Sequence, residues 1–254
     1  MYYNKRRIKS KGMKKMEKNI AIGIEGLVGS GKTSICEELL NRIPNSILIH
    51  GGNFYRGIVY AYEKKKKIKN FEELSQKTQK IDMKEIMEKL KVQFKVKGKE
   101  TVVYVDGKEI PDEELQSAHN SLAVSVASHV ADNQALFQYI HDIIEKLKKE
   151  YNLIISGRAI MEIYPDVDEH ILVTASLEER VKRKLKQYQG KISEEELKEN
   201  IIKRDKLQEA TGFYKKYDKT KVIDVTECKS AKESAEKILL HFGEWANKYV
   251  TLNA

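Results

Sequence analysis

The sequence predicts an α/β protein in which a parallel sheet is covered by helices on both faces. Short β-branched runs alternate with helical segments along most of the chain. The first of these runs leads into a glycine-rich loop, and that loop leads directly into a helical segment. At 254 residues the chain can bury one substantial core, with or without an inserted subdomain.

The glycine-rich loop spans residues 26–33 and fits the pattern G-x-x-x-x-G-K-[ST] at every fixed position. Strand, loop and helix in this order are typical of a phosphate-binding loop, because backbone N–H groups and the helix N-terminus attract an anion. The residues expected to hold donor phosphates are Gly26, Gly29, Ser30, Gly31, Lys32 and Thr33. Lys32 would reach the β- and γ-phosphates, and the Thr33 hydroxyl would hold Mg²⁺. The sequence therefore predicts that the chain binds a nucleoside triphosphate.

The remaining elements are predicted from apolar spacing and flanking residues. The predicted strands are 20–24, 46–50, 153–155, 170–174 and 221–225, and a β-hairpin is predicted with arms 92–96 and 101–105 around a glycine turn. Capping boxes that begin helices are Ser176–Glu179, Ser193–Glu196 and Ser230–Glu233. The last of these helices is predicted to run to about Tyr249. Two apolar stripes, over 115–130 and 136–147, predict two further helices.

The positive charge is concentrated at the N-terminus. Residues 1–18 contain eight Lys or Arg residues against Glu17, so they carry +7 of the net charge of +9. We expect this tail to be a solvated extension, and nucleic acid is a disfavoured partner. No stretch approaches the roughly 18 apolar residues of a membrane-spanning helix, and two cysteines form no disulfide framework. The sequence predicts a cytoplasmic protein with small-molecule partners and no membrane partner, and it leaves the oligomeric state open, a monomer included.

Arginines follow two of the predicted strands, at the edge where open parallel sheets bind ligands. Tyr55 and Arg56 come after strand 46–50, and Arg158 comes after strand 153–155. Arg180 and Arg183 share a helix face, and a mobile lid would bring them onto the phosphates and exclude water. Phosphoryl transfer requires mainly positioning and positive charge around the moving group. The sequence therefore predicts a kinase.

With these residues in place, the chain resembles the cytidylate kinase family of nucleoside monophosphate kinases over about residues 19–242. Residues 51–56 are similar to the family's S-G-x-x-Y-R segment, and residues 156–158 fall where the family has D-G-R-D. Residues 176–184 resemble the lid signature S-x-E-E-R-x-x-R-[RK]. Lys203-Arg204-Asp205 lies where the family has an arginine–aspartate pair. The resemblance implies transfer of the γ-phosphoryl group of ATP to CMP or dCMP with Mg²⁺.

The resemblance also implies an organisation and a set of site residues. It implies a three-layer P-loop NTPase sandwich over 19–249, after the tail 1–18, with an insertion that binds the monophosphate at about 63–131 and a lid at about 176–205. The implied catalytic residues are Lys32, Arg158, Arg180 and Arg183. The implied acceptor contacts are Tyr55, Arg56, Arg158, Arg204 and Asp205.

The chain departs from the family pattern at several positions, most of them in the acceptor half. Ser156 and Ala159 stand where aspartates are expected, and Gly51 replaces a serine. Further departures are Gln208, Thr211 and the residue in place of an expected arginine, which is His119 or Gln116. Two other functions therefore stay open. One is a kinase for a different small phosphorylated or hydroxyl-bearing acceptor, and the other is a nucleotide-binding protein without catalysis.

Overall fold

A computed structural model describes residues 18–70, 72–74, 88–89, 91–117, 119–120, 123, 134–188, 192–210, 215–242 and 246. Its centre is an eight-stranded sheet. The strands are β1 (Ala21–Gly26), β2 (Ser46–His50), β3 (Val92–Lys97), β4 (Glu100–Val105), β5 (Lys108–Glu109), β6 (Asn152–Ser156), β7 (Glu169–Thr174) and β8 (Thr220–Asp224). Their order is β3-β4-β2-β6-β1-β7-β8, with β5 beside β4. The strands β2, β6, β1, β7 and β8 pair in parallel, which confirms the predicted fold class.

Helices cover both faces of the sheet. They are α1 (Lys32–Arg42), α2 (Gly51–Lys66), α3 (Asp112–Leu115), α4 (Gln134–Lys148), α5 (Ile160–Ile163), α6 (Leu177–Tyr188), α7 (Glu194–Ala210) and α8 (Ala231–Leu239). Successive strand residues point to opposite faces, so Ile47 and Ile49 pack with α2 and α4, while Leu48 packs with α1 and α8. This alternation produces two apolar cores, one on each side of the sheet. Strands that are apolar at successive positions therefore become the buried middle layer.

The predicted hairpin is confirmed and extends the central sheet. Strands β3 and β4 pair antiparallel from Val92↔Val105 to Lys97↔Glu100. Strand β4 then joins β2 in parallel at Leu48↔Glu100, where Leu48 N donates to Lys99 O at 2.8 Å. The apolar stripe over 115–130 lies mostly outside the described residues. The limits of the insertion stay a prediction.

The three predicted capping boxes cap their helices. The hydroxyls of Ser176, Ser193 and Ser230 accept the backbone N–H three residues later at 3.1–3.2 Å. The last helix ends at Leu239, so the prediction of one continuous helix towards Tyr249 is wrong. The N–H groups of His241 and Phe242 turn to carbonyls three residues earlier, which tightens the chain into a helix end. Tyr249 itself lies outside the described residues.

Candidate functional site

The loop between β1 and α1 has the geometry of an anion cradle. Gly29 and Gly31 adopt φ values of 81° and 90°, a left-handed conformation that glycine adopts readily. A side chain at Gly26 would place its Cβ 2.7 Å from Ser30 Oγ, so the turn is too tight for one. Helix α1 begins at Lys32 with no side-chain cap, and its first N–H groups are therefore available to a ligand. The structure thus brings the predicted loop residues into one compact turn.

Lys32 extends from the loop to the end of β6. Its Nζ donates to Ser156 Oγ at 3.1 Å. Burial lowers the pKa of Lys32, and the positive charges of Arg158 and Arg56 lower this pKa as well. Ser156 stands where the family pattern has an aspartate, so the ammonium contacts a hydroxyl here instead of a carboxylate.

Arg56 and Arg158 meet near Lys32, as the strand-end argument predicts. Burial lowers the pKa of Arg56, and the like charge of Arg158 lowers it further. A Cβ at Gly52 would lie 2.5 Å from Arg56 Nη1, so this glycine leaves room for the guanidinium. The three cations are close enough for their like charges to repel one another, and Arg56 Nε is buried without a hydrogen-bond partner among the described residues. An anion bound between them would stabilise this arrangement.

Arg180 and Arg183 lie against the loop, but protein atoms engage their guanidinium groups. Arg180 is 6% exposed and donates to Val28 O at 3.2 Å, to Ala175 O at 3.1 Å and to Asp205 Oδ2 at 2.6 Å. Arg183 donates to carbonyls at 3.0 Å, 2.8 Å and 3.3 Å, which belong to Ser30, Val225 and Cys228. In this structure both arginines therefore hold the loop in place.

Three further predicted residues lie outside the Lys32–Arg56–Arg158 cluster. Asp205 is the partner of Arg180. Arg204 lies close enough to Lys184 for its positive charge to lower the pKa of Lys184, after the larger lowering by burial. Tyr55 packs against the core on the α2 side, and burial raises the pKa of its hydroxyl. The structure thus places Arg204 and Asp205 on the lid side of the loop and the Tyr55 ring on the core side of α2.

Two residues near the site were not among the predicted site residues, although Lys184 is the last residue of the segment that resembles the lid signature. Lys184 packs on the loop, since its Cγ lies 3.4 Å from the position of a Cβ at Gly29. Glu25 is 4% exposed, and its Oε1 accepts Ile160 N at 2.9 Å, directly after Arg158 and Ala159. Glu25 thereby ties the segment that carries Arg158 to the base of the loop. The sequence signal for Glu25 was a carboxylate inside an otherwise apolar strand, directly before the loop.

The loop offers few protein oxygens as ligands, which is compatible with Mg²⁺. The described residues contain no group of three or more side chains that could hold a metal ion. Mg²⁺ usually takes one or two protein oxygens and completes its shell with phosphates and water. The exposed Thr33 in the first turn of α1 suits that role. Over the same described residues, no helix has the length and apolar character to cross a bilayer.

The fold and the site together define a P-loop phosphotransferase. The sheet is mostly parallel, the phosphate-binding loop follows its central strand, and cations lie at the ends of the neighbouring strands.

Among solved structures, the chain is similar to TT1252 from Thermus thermophilus, with a TM-score of 0.40 and 18% identity, over 88% of this chain and 96% of that one. It is also similar to shikimate kinase from Bacteroides thetaiotaomicron, with a TM-score of 0.39 and 12% identity, over 87% and 96% of the two chains.

The family model described as "Cytidylate kinase" matches residues 22–244. The chain therefore belongs to the cytidylate kinase family, which makes it a nucleoside monophosphate kinase by class. It is 28% identical to the cytidylate kinase of Thermotoga maritima, over 86% of this chain and 94% of that protein. It is also 28% identical to the cytidylate kinase of Bacillus thuringiensis, over 88% and 96% of the two proteins.

Proposed function

We propose that this chain transfers the γ-phosphoryl group of ATP to CMP or dCMP, giving the diphosphate. The cluster of Lys32, Arg56 and Arg158 carries the proposal. Burial and the like charge of Arg158 lower the pKa of Lys32 and of Arg56, and Arg56 keeps a buried N–H without a partner among the described residues. Two phosphate groups, one on each nucleotide, would offset this charge.

The chemistry requires positioning more than proton transfer. The loop N–H groups and Lys32 would hold the donor phosphates, with Thr33 as the ligand to Mg²⁺. When bound, Mg²⁺ neutralises charge that develops on the phosphates. Arg56 and Arg158 would hold the acceptor phosphate, whose oxygen is already anionic and needs no general base. Arg180 and Arg183 would approach the moving group on lid closure, by exchanging loop carbonyls for phosphate oxygens.

A coupled assay of ADP formation tests the proposal with ATP, Mg²⁺ and one of CMP, dCMP, UMP or AMP. CMP or dCMP is expected to be the best acceptor. Lys32→Met should lower kcat/KM by at least about 1000-fold, as expected for loss of a group that binds the transferred phosphoryl. Lys182→Met removes one exposed positive charge from α6 and should change activity less than about twofold. The proposal fails if none of the four monophosphates is phosphorylated.

A second candidate is phosphorylation of a different small acceptor. The observation that favours it is the small side chains of Gly51, Ser156 and Ala159 at the acceptor edge, where the family pattern has longer or charged ones. A screen of non-nucleotide phosphates and alcohols, read as ADP release, separates the two candidates. ATP binding without turnover in either assay would instead indicate a nucleotide-binding protein without catalysis.

A further inference from the structure

A polar cluster lies beside Arg56, formed by Asn53 on α2 and by Asp112 and Gln116 in the segment after β5. Asn53 Nδ2 donates to Asp112 Oδ1 at 3.1 Å, and Asn53 Oδ1 accepts from Gln116 Nε2 at 2.9 Å. Asn53 is 4% exposed, while Asp112 and Gln116 are exposed. One buried amide therefore orients two exposed polar groups, an arrangement that a solvated surface does not require.

The cluster adjoins the cation proposed to hold the acceptor phosphate. Asn53 and Arg56 are three residues apart on α2 and so lie on the same face of the helix. Arg56 Nη1 lies 3.4 Å from Asn53 Oδ1, and the carboxylate of Asp112 is close enough to oppose the lowering of the Arg56 pKa. A monophosphate bound at Arg56 would therefore have its sugar and base within reach of Asp112 and Gln116.

The structure places the two candidates for the arginine that the family pattern expects before the following helix at different points along α2. His119 Nε2 lies 3.0 Å from Glu63 Oε1, towards the far end of α2. Gln116 instead contacts Asn53, one helical turn from Arg56. Gln116 is thus the residue placed to meet the acceptor.

We propose that Asp112 and Gln116 read the hydrogen-bonding edge of the acceptor base and select a base with an amino group beside an unprotonated ring nitrogen. This inference rests on the proposed function. An ionised carboxylate only accepts hydrogen bonds, so Asp112 pairs with an amino group and repels a carbonyl oxygen. The second N–H of the Gln116 amide donates to the ring nitrogen. Cytosine and adenine have this pattern on their Watson–Crick edge, whereas uracil and guanine have a carbonyl beside a ring N–H on that edge.

Asp112→Asn tests the inference, because it replaces an oxygen acceptor by an amide of the same shape that also donates. The measurement is kcat/KM for CMP and for UMP. The ratio of CMP to UMP is expected to fall about 10- to 100-fold, the effect of one hydrogen bond to a charged group. Glu113→Gln is the matched control, since it removes an adjacent exposed carboxylate, and its ratio should stay within about twofold of wild type. An equal loss for both substrates would overturn the inference, because Asp112 would then act only through the charge of Arg56.

Asn53 is a positioning residue in this proposal, and its test uses the same ratio. Asn53→Ala should lower the CMP to UMP ratio, whereas a purely structural role would lower both rates equally and overturn the positioning role. Gln116→Leu, at an exposed position, gives an independent measure if Asn53→Ala unfolds. Failure of wild type to phosphorylate any monophosphate overturns the proposed function together with this inference. Turnover by wild type with an unchanged ratio in Asp112→Asn and Gln116→Leu overturns this inference alone.

Discussion

Arg180 and Asp205 form a salt bridge, with 2.6 Å between Nη1 and Oδ2, that joins α6 to α7. The same Nη1 donates to Val28 O, so the bridge also ties both helices to the phosphate-binding loop. The small apolar core formed by Val181, Leu197 and Ile201 lies between these helices, with Val28 against it. The segment predicted to form the lid is thus attached to the loop through a charged pair.

Removing the carboxylate of this pair should destabilise the fold. Asp205→Ala leaves Arg180, which is 6% exposed, without its carboxylate. The free energy of unfolding is expected to fall by about 2–4 kcal/mol, measured by urea denaturation, since an uncompensated buried charge is costly. Asp205→Asn keeps an oxygen acceptor but also removes the charge, so it should lose at least half of that amount. Wild-type stability in Asp205→Asn would show that the charge of Asp205 is unimportant.

Arg183 should position the loop for ATP. Its guanidinium donates to Ser30 O, to two carbonyls near the end of β8 and to Glu179. Arg183→Lys keeps the charge but loses the planar fork that reaches these acceptors together. We expect KM for ATP to rise about tenfold, with a loss of about 1–2 kcal/mol in stability. Lys182→Arg on the exposed side of α6 is the control, and an unchanged KM in Arg183→Lys would contradict this role.

Substitutions at Ala159 test whether the aspartate that the family pattern has at this position would strengthen binding of CMP. Its φ of 55° is left-handed, which costs a non-glycine residue about 1 kcal/mol. Ala159→Gly should therefore raise the free energy of unfolding by about 1 kcal/mol in urea and leave KM for CMP unchanged. Ala159→Asp adds the carboxylate of the family pattern in a residue that tolerates this conformation, and it should lower KM for CMP about tenfold. If glycine lowers KM as much as aspartate, backbone strain and not the carboxylate limits binding.

Cys36 should make stability fall at alkaline pH. Burial raises the pKa of its thiol from 9.0 to about 11. The folded protein therefore keeps a proton that the unfolded chain loses, so the stabilisation is complete below about pH 9 and is lost as pH rises through about 11. Between pH 9 and pH 11 the free energy of unfolding of wild type should fall by about 2–3 kcal/mol more than that of Cys36→Ser. If the free energy of unfolding changes with pH in the same way for the two proteins, the alkaline loss of stability does not come from Cys36.

The elements of the fold were predictable because their signals are local. Strand β2 was predicted with its observed limits, since Ser46–His50 contains the apolar run Ile47-Leu48-Ile49 and is followed by two glycines. The loop was predicted because its glycines and Lys32 stand at fixed spacing, and the capping serines because each contacts an N–H three residues away. The gathering of Arg56 and Arg158 near Lys32 was also predictable, since parallel strands end at one edge of a sheet.

The sequence alone therefore determined the layered sheet, the loop and the cations at the strand ends. The tertiary structure decided which groups each side chain meets. Arg180 contacts Asp205 and Val28, and Gln116, not His119, contacts Asn53. These partners are 25 to 152 residues apart in the chain. Local periodicity cannot specify them, because they depend on how whole helices pack against the loop and against one another.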